Sequence, residues 1–298
     1  MRSAVAMILG LLAAGGAVAQ PPAASPATPT PPEPQSPSWA QEAALAGFGP
    51  AARPPASPIT DVLALRGGYF WGHVGTSGRF DSATGVPGTP VNLEYDFGLT
   101  PQQRQPRVEL IFRLRERSRL RVDFFDLSRS ATQTLARPIT YGNHTFQTND
   151  VVNSEMDWRE TDFTYTYSFL RTERFELGFG PGLHLIQSEG IGAVPARAIR
   201  EDFSGAGPFV TLALDGTWRL SERWTLTARA QYFDLRVAGQ EGALGDYRGE
   251  LQYRPARHLA LGLGFEGLRA RLDVRNKNPS GVMKLSVDGP ELFVRASL

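Results

Sequence analysis

Residues 161–185 read TDFTYTYSFLRTERFELGFGPGLHL, and this stretch decides the fold. From Phe163 to Phe169 every second residue is aromatic, with small polar residues between them. After a charged turn, large apolar residues from Phe175 to Leu185 alternate with glutamate, glycine and histidine. Successive side chains of a β-strand point to opposite faces, so a period of two predicts strands with one apolar and one polar face. The stretch therefore predicts a β-hairpin.

The same alternation recurs along the chain from about residue 62 to the end. Six segments show it clearly: residues 107–115, 162–169, 175–185, 210–219, 224–232 and 247–253. Four more, residues 62–75, 119–131, 259–274 and 282–298, bring the predicted strands to ten. In the second, third and fourth of these the alternation slips, at Phe124-Phe125, near Gly267 and near Gly289-Pro290. We expect β-bulges, or strands leaving the apolar layer, at those places.

The connections between the strands are unequal. Short charged turns occur at residues 114–120, 170–177, 220–226 and 254–261, whereas the polar connections at 77–105, 132–155 and 189–204 are long and fall at the other end. This asymmetry is typical of membrane barrels. The sequence therefore predicts an all-β fold, a transmembrane antiparallel up-and-down β-barrel of about ten strands. Eight strands, or twelve if residues 91–97 also pair, are alternatives, as is a soluble β-sandwich or lipocalin-like barrel.

The first 58 residues have a different composition. Residues 1–19 contain one arginine, a short apolar run and Ala17-Val18-Ala19, which together predict a cleaved signal peptide. Residues 20–58 contain twelve prolines in 39 positions, which predicts a disordered Pro/Ala-rich periplasmic linker. A contact with peptidoglycan, or a plug in the barrel from below, is the alternative for this segment. The barrel domain is predicted to occupy residues 59–298.

Composition excludes several kinds of partner and site. The formal net charge of +1 gives no basic excess for nucleic acid. Cysteine is absent, which rules out disulfides, thiolate metal sites and a cysteine nucleophile. We expect no cofactor and no metal.

The alternating segments, the leader and the C-terminal strand ending LFVRASL resemble the proteobacterial outer-membrane β-barrel proteins, within a small-barrel subfamily that is uncharacterised. The resemblance covers about residues 62–298 and departs from the usual pattern at Leu298, where an aromatic residue is common. It implies a monomer in the cell outer membrane, in contact with phospholipid and lipopolysaccharide and inserted by the barrel-assembly machinery. The linker and the C-terminus would lie in the periplasm. Aromatic residues at the short turns would form the periplasmic girdle, namely Phe169, Phe175, Trp218, Trp224 and Tyr253.

The polar faces of the strands carry charges of both signs, which can pair inside a barrel where bulk water is excluded. A barrel of eight strands is just filled by side chains, so ten strands predict a mostly filled lumen. This favours a structural or narrow-pore, small-solute permeability role, and neutralising Arg229 is then expected to admit ions. The predicted lumen-lining residues are Glu109, Arg113, Arg121, Asp123, Asp162, Glu176, His184, Asp215, Arg229, Arg248, Glu250, Glu266 and Arg295.

Two other functions compete with permeability. An outer-membrane lipid A or peptide hydrolase is one, but the Asp-x-His element of omptin-like proteases is absent, and His184 and Ser188 are about 13 Å apart along a strand at about 3.3 Å per residue. That separation prevents a direct base-to-nucleophile hydrogen bond, so we expect no catalytic residue. A surface receptor or adhesin acting through its loops is the other, with Tyr141, His144 and Phe146 as candidate contacts.

Glycines on two strands suggest space inside the barrel. Gly178, Gly180 and Gly182, with Gly262 and Gly264, present no side chain to the lumen. We expect the first loop, residues 93–99, to fold inward and fill this space, and Pro181, which removes a ladder donor, to mark a bulge in its strand.

Overall fold

The computed structural model describes residues 56–237, 240–274 and 280–298. The predicted signal peptide and nearly all of the predicted linker lie outside these residues. No helix among the described residues is long and apolar enough to cross a membrane.

The chain is almost entirely β-structure. In order, its elements are β1 (Leu63–Phe80), β2 (Val91–Asn92), α1 (Leu93–Asp96), β3 (Gln102–Arg115), β4 (Ser118–Thr134), β5 (Ile139–Tyr141), β6 (His144–Phe146), β7 (Val151–Arg171), β8 (Phe175–Val194), a 3₁₀ turn (Pro195–Arg197), β9 (Ile199–Arg219), β10 (Trp224–Val237), β11 (Gln240–Ala256), β12 (Leu259–Val274) and β13 (Gly281–Ser297).

Ten of these strands form one closed antiparallel barrel. Around the ring the order is β1, β3, β4, β7, β8, β9, β10, β11, β12, β13, and β13 pairs with β1 to close it. Closure leaves no free sheet edge, which a strand structure in lipid requires. The prediction of about ten strands is confirmed. The twelve-strand alternative is wrong, because only Val91–Asn92 pair with β1 before α1 begins.

The outer face of the barrel is apolar. Along residues 161–171 of β7, 175–185 of β8 and 210–219 of β9, the large apolar side chains point outward and are exposed or half-buried, while the alternating polar ones are buried inside. Trp224 packs against Tyr253 with ring centroids 5.0 Å apart at the end that carries the short turns, where Phe169 and Trp218 are also exposed. This face has the composition of a surface in contact with lipid.

The two ends of the barrel differ. The short turns and both described chain ends share one end, here called the turn end; the opposite end, with α1 and the β5–β6 hairpin, is the loop end. At the loop end the segment 189–204, which the sequence indicated as a polar loop, is mostly strand, because β8 runs to Val194 and β9 restarts at Ile199. The strands are thus longer than a bilayer requires.

The predicted bulges at Phe124-Phe125, Gly267 and Gly289-Pro290 are wrong. The pairing of β4 with β7, and of β12 with both neighbours, runs through these positions without a register shift. Only the β1–β13 ladder is interrupted opposite Gly289-Pro290, again with its register kept. The alternation of apolar and polar residues breaks in the sequence because the interior changes character: toward the loop end, inward side chains are apolar as well. Phe125 and Leu268 point inward and are buried there.

The bulge predicted at Pro181 is absent, although the ladder is interrupted there. The β7–β8 ladder lacks the pairs at Tyr165 and Thr166, opposite Pro181 and Gly180, and resumes on both sides in the same register. Here Gly180 lies so close to its neighbour that a Cβ would be 2.1 Å from the Tyr165 carbonyl oxygen. A larger residue could not be accommodated without moving the backbone.

The first loop folds back onto the loop end of the barrel. Asn92 caps α1 through its Oδ1, which accepts from the Tyr95 amide at 2.8 Å. Glu94 accepts hydrogen bonds from the Thr76 amide (2.9 Å) and from Arg129 (2.6 Å), which ties α1 to β1 and β4. Phe97 packs in a cluster with the β5–β6 hairpin, so the loop and the hairpin form one cap.

The segment before β1 enters the turn end. Ile59 is buried, and the carbonyl oxygens of Pro58 and Ile59 accept from Arg113 (3.1 Å) and Arg171 (3.2 Å). Asp61 contacts Arg254 at 2.7 Å. The last residues of the segment predicted as linker therefore pack inside the barrel mouth.

Candidate functional site

All thirteen residues predicted to line the lumen have side chains that point into the barrel and are almost out of contact with water. Most belong to a dense ion-pair system, here called the central charge network. Its members are Arg66, Arg107, Glu109, Arg121, Asp123, Asp215, Arg229, Asp246, Arg248, Glu250, Glu266 and Glu291. Every arginine in it contacts at least two carboxylates, which buried guanidinium groups require.

Glu109 is the hub of the central charge network. Its carboxylate lies 2.8 Å from Arg121, 3.2 Å from Arg229, 3.3 Å from Arg248 and 3.9 Å from Arg66. These four arginines come from β4, β10, β11 and β1. One carboxylate on β3 therefore joins strands all around the barrel.

Several of these pairs cross the full width of the lumen. In the ring of ten strands, β4 and β11 are five places apart, as are β3 and β10, so each couple stands on opposite walls. Arg248 of β11 reaches Asp123 of β4 at 2.9 Å, and Arg229 of β10 reaches Glu109 of β3. Side chains meeting from opposite walls leave no central channel at this level.

A second set of charges fills the turn end. Glu176 accepts from Arg113 at 2.8 and 2.9 Å and also contacts Arg119. Asp61 accepts from Arg254 and lies 3.3 Å from Arg295. Arg113, Glu176 and Arg295 thus belong to this turn-end set rather than to the central charge network.

His184 and Asp162 form a separate cluster. His184 is fully buried; its Nδ1 lies 2.6 Å from Glu160 and its Nε2 3.2 Å from Gln231. Asp162 accepts from Gln231 and from Thr164. Both imidazole nitrogens of His184 therefore have hydrogen-bond partners inside the barrel. This arrangement indicates a structural role for His184.

The cavities between the charged groups are small. One of about 20 Å³ lies beside Arg107 and Asp123, and one of about 30 Å³ beside Glu109 and Arg121. Each has room for about one water molecule.

Toward the loop end, an apolar layer follows the charged one. Buried residues from seven strands meet there, namely Phe70, Val74, Phe125, Leu127, Met156, Trp158, Ile186, Leu244, Leu268, Leu285 and Val287, with Leu99 of the first loop. The first loop therefore does fold inward. It does not fill the space at the glycines, however. The atoms nearest to Gly178 and Gly180 belong to β7, and those nearest to Gly182 belong to Thr211 and Gln231. Phe293 is nearest to Gly262, and β11 is nearest to Gly264.

Sequence reasoning missed important members of these clusters. Arg66 and Arg107 each hold two or more carboxylates, and Glu291 receives two hydrogen bonds from Arg66. The alternation of the strands predicts that these side chains point inward. Arg66, for example, lies two residues after Ala64 and therefore on the same inner face of β1. Asp61 had no such signal, because it precedes the first strand.

The loop end contains a large open cavity, here called the loop-end cup. Its volume is about 970 Å³, and it lies between the cap and strands β8 to β13. Tyr141, a candidate loop contact, lines it; His144 lies outside and pairs with Glu201, and Phe146 is buried in the cap.

Two titratable groups at this cup are perturbed. Burial alone would raise the pKa of Asp81, but hydrogen bonds from Ser280 and the Gly88 amide, with the Arg79 guanidinium, hold the pKa below its ordinary value. Burial, reinforced by the nearby Glu201 and Asp202 carboxylates, raises the pKa of Tyr141. At neutral pH the cup therefore holds an ionised Asp81 and an uncharged tyrosine.

Comparison with known proteins identifies the fold. No family model and no curated protein matches the sequence. Among solved structures, the chain is similar to the outer membrane protease OmpT of Escherichia coli, with a TM-score of 0.52 and 9% identity over 81% of this chain and 98% of that one. Weaker similarity extends to Ail of Yersinia pestis (TM-score 0.34, 8% identity, 78% and 99% covered) and to the toluene transporter TodX of Pseudomonas putida (TM-score 0.32, 9% identity, 83% and 93% covered).

Proposed function

We propose that this protein, which has the fold of outer-membrane β-barrels, is an integral outer-membrane protein with a closed, non-conducting interior. The turn end and both termini would face the periplasm and the loop end the cell exterior, in keeping with the unequal connections. The apolar outer face would contact phospholipid and lipopolysaccharide as a monomer, after insertion by the barrel-assembly machinery. The interior side chains then stabilise the fold, and contact with molecules outside the membrane is confined to the loop end.

The observation that carries the proposal is the contact of Arg248 with Asp123 across the barrel at 2.9 Å. An ion passing this level would have to separate paired buried charges, at a cost of several kcal/mol for each charge left without a partner. The apolar layer adds a second barrier beyond the first. A pore needs an unbroken water path, and the cavities at the charged level have room for single waters only.

The test is conductance in planar lipid bilayers. Purified full-length protein should insert without steady current above that of the empty bilayer, while a general diffusion porin in the same bilayers conducts. Because the apolar layer persists, Arg229→Ala should also remain closed, in contrast to the expectation from sequence alone. A steady current from the wild type would overturn the proposal; a current from Arg229→Ala alone would show that the charged layer is the sole barrier.

A further inference from the structure

The loop-end cup has the size of a ligand site. Small-molecule sites are concave, mostly apolar and about 300–1,000 Å³ in volume, with a few polar groups that fix orientation. The cup, at about 970 Å³, falls at the upper end of that range. It opens away from the charged interior, so it is independent of the closed lumen proposed above.

The cup lies where the inner face of β9 carries glycines. Gly205, Ala206 and Gly207 on β9 pair with Ser188, Gln187 and Ile186 on β8. A Cβ built on Gly207 would meet no atom within 4 Å. The space is therefore open at a position where a larger residue would fit, and the glycine is what leaves it empty.

Aromatic side chains form the walls of the cup. Phe209 and Phe233 meet edge to face with centroids 5.9 Å apart, and Phe80 and Tyr141 pack at 4.8 Å. These rings line the cavity on two sides. They offer both apolar surface and the negative ring faces that attract organic cations.

All the charged side chains among the described lining residues are acidic. They are Asp81, Glu201, Asp202, Glu241 and Asp273. The arginine that pairs with Asp81 has a side chain that is 44% exposed and does not line the cavity. A guest in the cup therefore meets carboxylates and aromatic rings, an environment that favours cations over anions.

One buried polar group in the cup has no partner. Ser188 lines the cavity and is 2% exposed, and its Oγ makes no hydrogen bond with any described residue. Buried hydroxyls are nearly always paired, so this unpaired one in the cavity wall is available to the polar group of a guest once the Ser188 side chain turns toward the cavity.

We propose that the loop-end cup binds an aromatic organic amine in its cationic form. The aromatic body packs against the phenylalanine walls, the ammonium group lies among the carboxylates, and a second polar group on the body bonds to Ser188. The aromatic body thus matches the shape of the cup, the ammonium group matches its charge, and the second polar group matches the unpaired hydroxyl.

The experiment measures binding of four matched probes to the full-length protein in lipid nanodiscs by equilibrium dialysis, with empty nanodiscs as the blank. Tyramine carries both the ammonium and a hydroxyl. Tyrosol has an alcohol in place of the ammonium, para-hydroxyphenylacetate has a carboxylate in place of the aminomethyl group, and phenethylamine lacks the ring hydroxyl. Tyramine should bind about tenfold more tightly than tyrosol, and the carboxylate should not bind above the blank.

Variants separate the cup from the rest of the surface. Gly207→Leu fills the cup and should abolish tyramine binding, whereas Gly249→Leu, where a Cβ also meets nothing within 4 Å but on the outer face, should leave it unchanged. Ser188→Ala should remove the advantage of tyramine over phenethylamine. Heat-modifiable migration on gels confirms that each variant is folded. Absence of tyramine binding, equal binding of the anion, or binding that survives Gly207→Leu would each overturn the proposal, whatever the conductance measurements show.

Discussion

Replacing Glu109 by glutamine should destabilise the barrel more than any comparable change on its surface. The substitution keeps the size of the side chain and removes the one charge that contacts four arginines. Breaking a buried pair by removing one partner costs about 3–5 kcal/mol.

The remaining contacts of the arginines place the cost within that range. Arg121 keeps Asp215 at 2.9 Å, and Arg248 keeps Asp123 at the same distance. Arg229 is left with carboxylates only at 3.8 and 4.0 Å. One arginine thus loses its main partner while the others keep theirs, so we expect a loss near the lower limit, about 3 kcal/mol, or a change of about a hundredfold in the unfolding equilibrium.

The assay is urea unfolding of the protein in lipid vesicles, followed by tryptophan fluorescence and by gel migration. Glu116→Gln is the matched control, because the Glu116 side chain is 90% exposed and 4.0 Å from its only recorded partner among the described residues, Arg171. An exposed pair of this kind contributes about 0–1 kcal/mol. A loss below about 1 kcal/mol for Glu109→Gln would refute the view that the central charge network holds the barrel together.

Three further outcomes follow from the structure. Leu212, which is 60% exposed on the outer face, should cost about 2–4 kcal/mol when replaced by arginine if it faces the bilayer midplane, whereas Val86→Arg in a loop should be nearly neutral in the same unfolding assay. Gly180→Ala should cost about 1–3 kcal/mol because its Cβ would clash with a backbone oxygen, and unfolding at the level of wild type would contradict this. The pKa of Asp81 lies below its ordinary value, so the ionised carboxylate stabilises the loop end fully above the pKa of about 3.9 that an aspartate has in the unfolded chain. This stabilisation is lost as the pH falls below that value. Hydrogen exchange of the Gly88 amide should then accelerate with falling pH, and Asp81→Asn should abolish this pH dependence.

The sequence by itself determined the outer surface and the topology. A side chain facing lipid must be apolar whatever its neighbours are, so the period of two along residues 161–185 was enough to assign faces. The turns indicated about ten strands, and the structure excluded twelve. For the same reason the inward orientation of Glu109 and Arg248 could be predicted from parity alone. These properties depend on each strand separately, and local sequence records them.

The tertiary structure alone decided what the interior contains. Parity shows that Arg248 points inward, but only closure of the ring places it against Asp123, because residues far apart in sequence become neighbours through the stagger and tilt of the strands. The same holds where both faces of a strand are apolar: Phe125 and Leu268 appeared as interruptions in the pattern because nothing local distinguishes a lipid-facing residue from a core residue. The loop-end cup could not be predicted from the sequence either. The space at Gly207 is open because no side chain from another strand reaches it, and only the three-dimensional structure shows this.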